Sequence, residues 1–245
     1  MIIAKKSLGQ NFLIDKNTVN KIIKTIEITN SNIIEIGPGL GALTEKILQK
    51  KPSKLIIIEK DFTLYEKLLK KFDNKKITII NGDALYYDFS QLKNFKLISN
   101  LPYNISSKFL LKILKLNDNF TDLVCMIQSE LADKLNYNKG KMNKYKFISK
   151  YCGRYKILFN VSKNVFYPKP KVNSKVVKFE LIKQNINAKN LDFFLNIFFI
   201  NKRKKIKSNR KINMLIDESI ANKRYEDLKY IEILDIYKRF NFSFS

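Results

Sequence analysis

The 245-residue chain contains no histidine. That absence removes the commonest general base near neutral pH, the Ser-His and Cys-His nucleophilic systems, and most transition-metal sites. Cysteine is nearly as scarce: Cys125 and Cys152 are the two present, neither in a CxxC pair. Two thiols cannot complete a zinc site unaided, so no metal is expected, and free thiols fit a reducing, cytoplasmic setting. Long apolar runs are missing as well. The strongest, Leu191 to Ile200, is about half a membrane span and carries Asp192 and Asn196. It reads as a buried helix, with no membrane partner, and Met1 to Lys6 holds no apolar leader segment. Acidic residues number 22 against 47 Lys and Arg, a formal net charge of +25. Such a field favours a polyanionic partner, nucleic acid or an anionic membrane face. Only five of the basic residues are Arg, however, and a chain crowded with Lys, Asn and Ile bears the mark of A- and T-rich codons, which inflate the charge without regard to function.

Periodicity supplies the organisation. Val19, Ile22, Ile23 and Ile26 recur at helical spacing, Asn32 to Ile36 is a short apolar run, and Gly37-Pro38-Gly39-Leu40-Gly41 follows as a turn. Further apolar runs at 55–58, 77–80, 95–98 and 123–128 alternate with helical segments, which predicts βαβ units and a parallel sheet. Ligands bind such sheets at the carboxyl ends of the strands, where the glycine turn, Glu59, Asp83 and Asn100 all fall. Residues 172–181 read as a strand. Beyond about 184 the strand signals stop, and helices are expected at roughly 189–200, 205–220 and 223–240. The chain is therefore read as an α/β domain over 1–184 and a small all-helical domain over 185–245.

Asn100-Leu101-Pro102-Tyr103 suits chemistry on the exocyclic amino group of a nucleobase. An aromatic amine is a poor nucleophile, and fixed acceptors must hold its hydrogens while the electrophile approaches. Asn100 offers a side-chain carbonyl and Leu101 a backbone one. Pro102 has no N–H and a fixed φ that can aim those carbonyls, and Tyr103 offers a ring for stacking. Read alone, the tetrapeptide serves equally as a strand-ending turn. Phe166, in Phe166-Tyr167-Pro168-Lys169-Pro170-Lys171, is either a second stacking ring or a core residue. The glycine turn lets a backbone approach a nucleoside, and Glu35 beside it disfavours a pyrophosphate and could hold a cationic group, which points to S-adenosylmethionine rather than NAD. Glu59, twenty residues past Gly39, can accept from ribose hydroxyls, and Asp83 from an adenine amino group, with Ala84 leaving room for the ring. Lys202, Arg203, Lys204, Lys205, Lys207, Arg210 and Lys211 form a basic cluster that is either a solvated face or a phosphate-contacting surface.

Leu8-Gly9-Gln10-Asn11-Phe12-Leu13, the Glu35 to Gly41 segment, Gly82-Asp83-Ala84, Asn100 to Ser106 and Phe166 to Ser174 together resemble the ribosomal RNA adenine dimethyltransferase family. The resemblance covers nearly the whole chain, including Phe199 to Lys205. It implies a Rossmann-like S-adenosylmethionine-dependent core that dimethylates two adjacent adenosines in a hairpin near the 3′ end of small-subunit rRNA. It further implies that Asn11 and Leu13 close over the methionine part of the cofactor with Gln10 nearby. Gly37 then contacts the cofactor, Glu59 its ribose, Asp83 its adenine, and Asn100 both cofactor and target amine. The expected partner is rRNA within a pre-ribosomal small subunit, and the expected state a monomer. Departures are few: Lys146 stands where the family has glycine, and the segment 136–147 is rich in Lys and Asn. The rivals are the related large-subunit methylases that confer antibiotic resistance, and a nucleic-acid-binding factor that keeps the fold without catalysis.

Overall fold

The computed structural model describes residues 4–73, 76–200 and 204–243. In chain order the elements begin β1 (Phe12–Leu13), α1 (Lys16–Ile23), β2 (Asn32–Ile36), α2 (Ala42–Gln49), β3 (Lys54–Glu59), α3 (Phe62–Lys71) and β4 (Thr78–Asn81). There follow β5 (Phe95–Asn100), α4 (Ser106–Ile113), β6 (Phe120–Gln128), α5 (Ser129–Leu135), α6 (Lys144–Cys152), β7 (Gly153–Val161), β8 (Phe166–Tyr167) and β9 (Ser174–Leu181). The chain closes with α7 (Ala188–Phe199), α8 (Arg210–Asn213), α9 (Glu218–Ala221) and α10 (Tyr230–Ser243).

Seven strands form one sheet in the order β4-β3-β2-β5-β6-β9-β7. It is parallel from β4 through β6, β9 runs antiparallel to β6, and β7 antiparallel to β9. The fold class is the expected one. Its parallel part is made of strands buried on both faces, which is why β2 and β3 are nearly unbroken Ile and Leu: Ile33, Ile34, Leu55, Ile56, Ile57 and Ile58 are at most 3% exposed. Helices α1 and α2 seal the sheet with Val19, Ile22, Ile23, Leu43 and Ile47, all in the core. Aspartates start two of the flanking helices, Asp15 accepting from Thr18 N–H at 2.6 Å and Asp61 from Thr63 N–H at 3.0 Å. The chain leaves β2 toward β3 on one side and later returns to β5 on the other, so a crevice opens beyond their carboxyl ends.

The described chain divides into two compact units, one of Met1–Asp133 with Cys152–Lys183 and one of Lys134–Tyr151 with Gln184–Ser245. One boundary thus falls between Lys183 and Gln184, but residues 134–151 group with the C-terminal helices rather than with the sheet. The reason is aromatic packing. Phe147 on α6 lies with its ring centroid 6.0 Å from Phe194 and 5.5 Å from Tyr230, while Phe194 meets Tyr237 at 5.0 Å and Phe198 meets Tyr225 at 4.8 Å. Three further differences concern secondary structure. Helix α6 is not among the expected elements. The nine-residue strand β7 is not among the expected elements, although Gly153, Arg154, Tyr155 and Lys156 alternate buried and exposed. The single helix expected over 205–220 is instead α8 and α9 with turns around them. Lys205 forms an isolated bridge with Arg224 and Asn209 caps the turn between, and these bonds interrupt the helical ladder.

Candidate active site

Each strand end delivers one component. After β2, Gly37 turns with φ +62°, and a Cβ there would sit 2.9 Å from Pro102 Cγ, so only glycine lets the turn approach the loop after β5. Gly39 has φ +59°, with Phe12 as close. After β3, Glu59 is 5% exposed and uses both oxygens: Oε2 accepts from Gly39 N–H at 3.1 Å and Oε1 from Asp61 N–H at 2.9 Å. Burial pushes its pKa above the ordinary range, and the Asp61 and Gly39 N–H groups oppose that rise. After β4, Asp83 accepts from Leu85 N–H at 2.9 Å and pairs with Lys60 at 2.8 Å. Burial acts to lift its pKa, and the Lys60 hydrogen bond and charge outweigh it, holding the carboxylate below its usual range. Ala84 is buried beside it.

At the end of β5, Asn100 Nδ2 donates to Asn11 carbonyl at 3.0 Å. That bond uses an amide hydrogen and leaves Oδ1 as an acceptor on a residue that lines the cavity. Beneath it, Ser99 Oγ donates to Ile36 carbonyl at 2.6 Å and ties β5 to β2 at the crevice. Pro102 carbonyl is taken by the N–H groups of Ile105 and Ser106 and by Ser106 Oγ at 2.8 Å, whereas Ser106 Oγ reaches the Leu101 carbonyl at a long 3.4 Å. Tyr103 is held by a 2.5 Å bond between its hydroxyl and Ser174 Oγ, and burial pushes the phenol pKa up.

One cavity is lined by Gln10, Asn11, Leu13, Gly37, Gly39, Glu59, Asp83, Ala84, Asn100, Leu101, Pro102 and Tyr103. All the expected cofactor and base-contacting positions therefore meet there except one. Phe166 is 3% exposed, pairs with Leu13 across β1 and β8, and belongs to the hydrophobic core. It packs as a core ring and does not line the cavity. The basic cluster is only partly described: Lys202 and Arg203 lie outside the described residues, and Arg210 and Lys211 open α8. Lys204, Lys205 and Lys207 are exposed around Ile206, which is fully buried. Sequence reasoning missed Asp61, 4% exposed, which binds Lys5 and Gln10; its position just before an amphipathic helix was the available signal.

Glu35 also lines the cavity, but not as a counter-charge. It is 1% exposed, bonded by Thr44 Oγ1 at 2.6 Å, and burial pushes its pKa up to about 8. Because that folded value exceeds the ordinary 4.5, its contribution to stability is complete below pH 4.5 and is lost as pH rises toward about 8. Glu35→Gln keeps an acceptor for Thr44 and is expected to flatten the pH dependence of the melting temperature between those limits. A variant whose stability still falls as steeply as the parent's would acquit Glu35.

Among the described residues no cluster of three or more His, Cys, Asp or Glu could hold a metal, and no helix is long and apolar enough to cross a membrane. The family model described as ribosomal RNA adenine dimethylase matches residues 2–242. A ribosomal RNA small subunit methyltransferase A from Malacoplasma penetrans is 42% identical over 216 residues, spanning 85% of this chain and 78% of the relative. Its namesake from Pelagibacter ubique is 40% identical over 238 residues, 92% of this chain and 89% of the relative. The solved structure of a dimethyladenosine transferase from Plasmodium falciparum aligns with a TM-score of 0.78 at 25% identity, covering 94% of this chain and 97% of that one. With the match running almost from end to end, the chain belongs to the ribosomal RNA adenine dimethylase family.

Proposed function

We propose that the chain transfers methyl groups from S-adenosylmethionine to the N6 amino groups of two adjacent adenosines in the 3′-terminal hairpin of small-subunit rRNA. The observation that carries this reading is the Asn100 amide, held through Nδ2 by Asn11 carbonyl and set in the wall of a cavity that Glu59 and Asp83 also line. The donor set fits the cofactor: Glu59 offers a carboxylate to ribose hydroxyls, Asp83 accepts from the adenine amine beside Ala84, and Gly37 and Gly39 leave backbone space. S-adenosylmethionine supplies an electrophilic methyl group when bound. Asn100 Oδ1 and Leu101 carbonyl accept the two hydrogens of the target amine and turn its lone pair toward that methyl, while Tyr103 stacks on the base. Held this way by Asn100 and Leu101, the amine nitrogen would accept the methyl that S-adenosylmethionine supplies, leaving S-adenosylhomocysteine, and would then lose its extra proton to water. No strong base is needed, which suits a chain without histidine.

The helical unit presents Lys204, Lys205 and Lys207 for RNA phosphates, and Lys202, Arg203, Arg210 and Lys211 are their neighbours in the sequence. Replacing several of the seven with Gln is expected to weaken RNA binding and to flatten its salt dependence. The slope of log affinity against log salt should fall by about 0.7–0.9 for each phosphate no longer neutralised, cofactor affinity staying constant. An unchanged slope makes the cluster a solvated face. The proposal places the enzyme in the cytoplasm, acting as a monomer on a pre-ribosomal small subunit; two free, buried cysteines suit that compartment. Radiolabel transfer from S-adenosylmethionine to unmethylated small subunits, with the modified nucleotides mapped, is the test. Label on large-subunit rRNA, or none, would overturn the assignment.

A further inference from the structure

We propose that Asp61 is a positioning residue that latches the segment from Lys5 to Leu13 over the cavity and so sets how fast the cofactor leaves. The inference rests on the S-adenosylmethionine reading above. Asp61 lies two residues past Glu59 and caps α3. Capping needs a single acceptor, and Asp61 supplies it to Thr63 N–H at 3.0 Å. Its carboxylate does more. Oδ1 also receives Lys5 Nζ at 2.9 Å, Oδ2 receives Gln10 Nε2 at 2.9 Å, and Gln10 Oε1 receives Lys5 N–H at 2.7 Å. A side chain only 3% exposed thus closes a ring of bonds with two residues of the strap. Burial acts to raise its pKa, and the bonds from Lys5 and Gln10 outweigh it, so it stays charged at neutral pH.

The strap is cavity wall: Leu8, Gly9, Asn11 and Phe12 all line the space beneath it. Its two ends are held differently. The β1 end is apolar and inside the core, with Leu13 6% exposed and paired to Phe166. At the other end Asp61 grips a lysine whose side chain is 50% exposed, and Asn104 Nδ2 donates to Ser7 carbonyl at 3.2 Å. Polar bonds open to water exchange more readily than a buried apolar pair, so the strap opens at Lys5 and Gln10.

Stopped-flow displacement of S-adenosylhomocysteine tests the latch. Asp61→Asn keeps a good helix cap while removing the charge, and Lys5→Met removes the same pair from its exposed side. Each is expected to release the ligand roughly tenfold faster, about 1.4 kcal/mol, as for one lost charge-assisted bond. The double variant should be no faster than either single. Salt should accelerate release from the wild type and barely affect Lys5→Met. Wild-type rates in both single variants, or effects that multiply in the double, overturn the latch. If Asp61→Asn folds poorly, Lys5→Met and its salt dependence decide by themselves. A wild type that binds no S-adenosylhomocysteine overturns the cofactor reading and the latch together, whereas tight binding with unaltered release overturns the latch alone.

Discussion

Asn100→Ala is expected to lower the single-turnover methyl-transfer rate, at saturating RNA and cofactor, by about two to three orders of magnitude, the effect of deleting one preorganised polar group. The cause is geometric. Asn100 ends β5 beside the cavity, and its amide is not free to rotate because Nδ2 is spent on Asn11 carbonyl at 3.0 Å. Alanine removes both the acceptor and the bond that aims it. Asn100→Asp is no rescue, since a carboxylate has no N–H for the Asn11 carbonyl and sets two oxygens against each other. An Asn100→Ala enzyme turning over near the wild-type rate would sink the amine-orienting role and favour an RNA-binding factor without catalysis.

Glu59→Gln is expected to weaken S-adenosylmethionine binding by about 1–3 kcal/mol, although it keeps the size of the side chain. Both carboxylate oxygens already accept backbone N–H groups, from Gly39 and from Asp61. A glutamine must point its NH2 at one of these donors, which leaves two hydrogens facing each other in a buried place and drives the side chain out of position. Because the Gly39 bond also shapes the glycine turn, the loss propagates to the backbone against which the cofactor lies. Isothermal titration calorimetry checks this. An affinity equal to the wild type's would show that binding depends neither on a contact from the Glu59 carboxylate nor on its bond to the glycine turn.

Much of this site could be read in one dimension because a parallel sheet puts functional residues where apolar runs end. Ile36 before Gly37, Ile58 before Glu59 and Ser99 before Asn100 each mark such an end, and the structure brings all three to one cavity. Two kinds of information were hidden. The charge state of Glu35 depends on burial and on Thr44 nine residues away, so its acidic letter suggested a counter-charge that the folded molecule does not present. Phe166 was ambiguous for a related reason: the pairing of β8 with β1 joins positions more than 150 residues apart, and only that pairing turns the ring inward. The segment 205–220 failed differently. Its composition is helical, but the bridge from Lys205 to Arg224 and the turn at Asn209 satisfy the backbone locally, and a residue's own preference does not register such competition.

The grouping of residues 134–151 with the C-terminal helices has a consequence for the order in which the protein can be finished as it is synthesised. Neither unit is a continuous stretch of chain. Helix α6 emerges before β7 and β9, yet the partners of Phe147 on α7 and α10 come only after both strands have been made. During elongation α6 must therefore carry an uncovered aromatic face while the sheet still awaits two of its seven strands. Vectorial synthesis cannot complete one unit and then the other; they mature together, and a late ring, Phe240 against Phe194 at 5.5 Å, closes a packing problem that opened almost a hundred residues earlier.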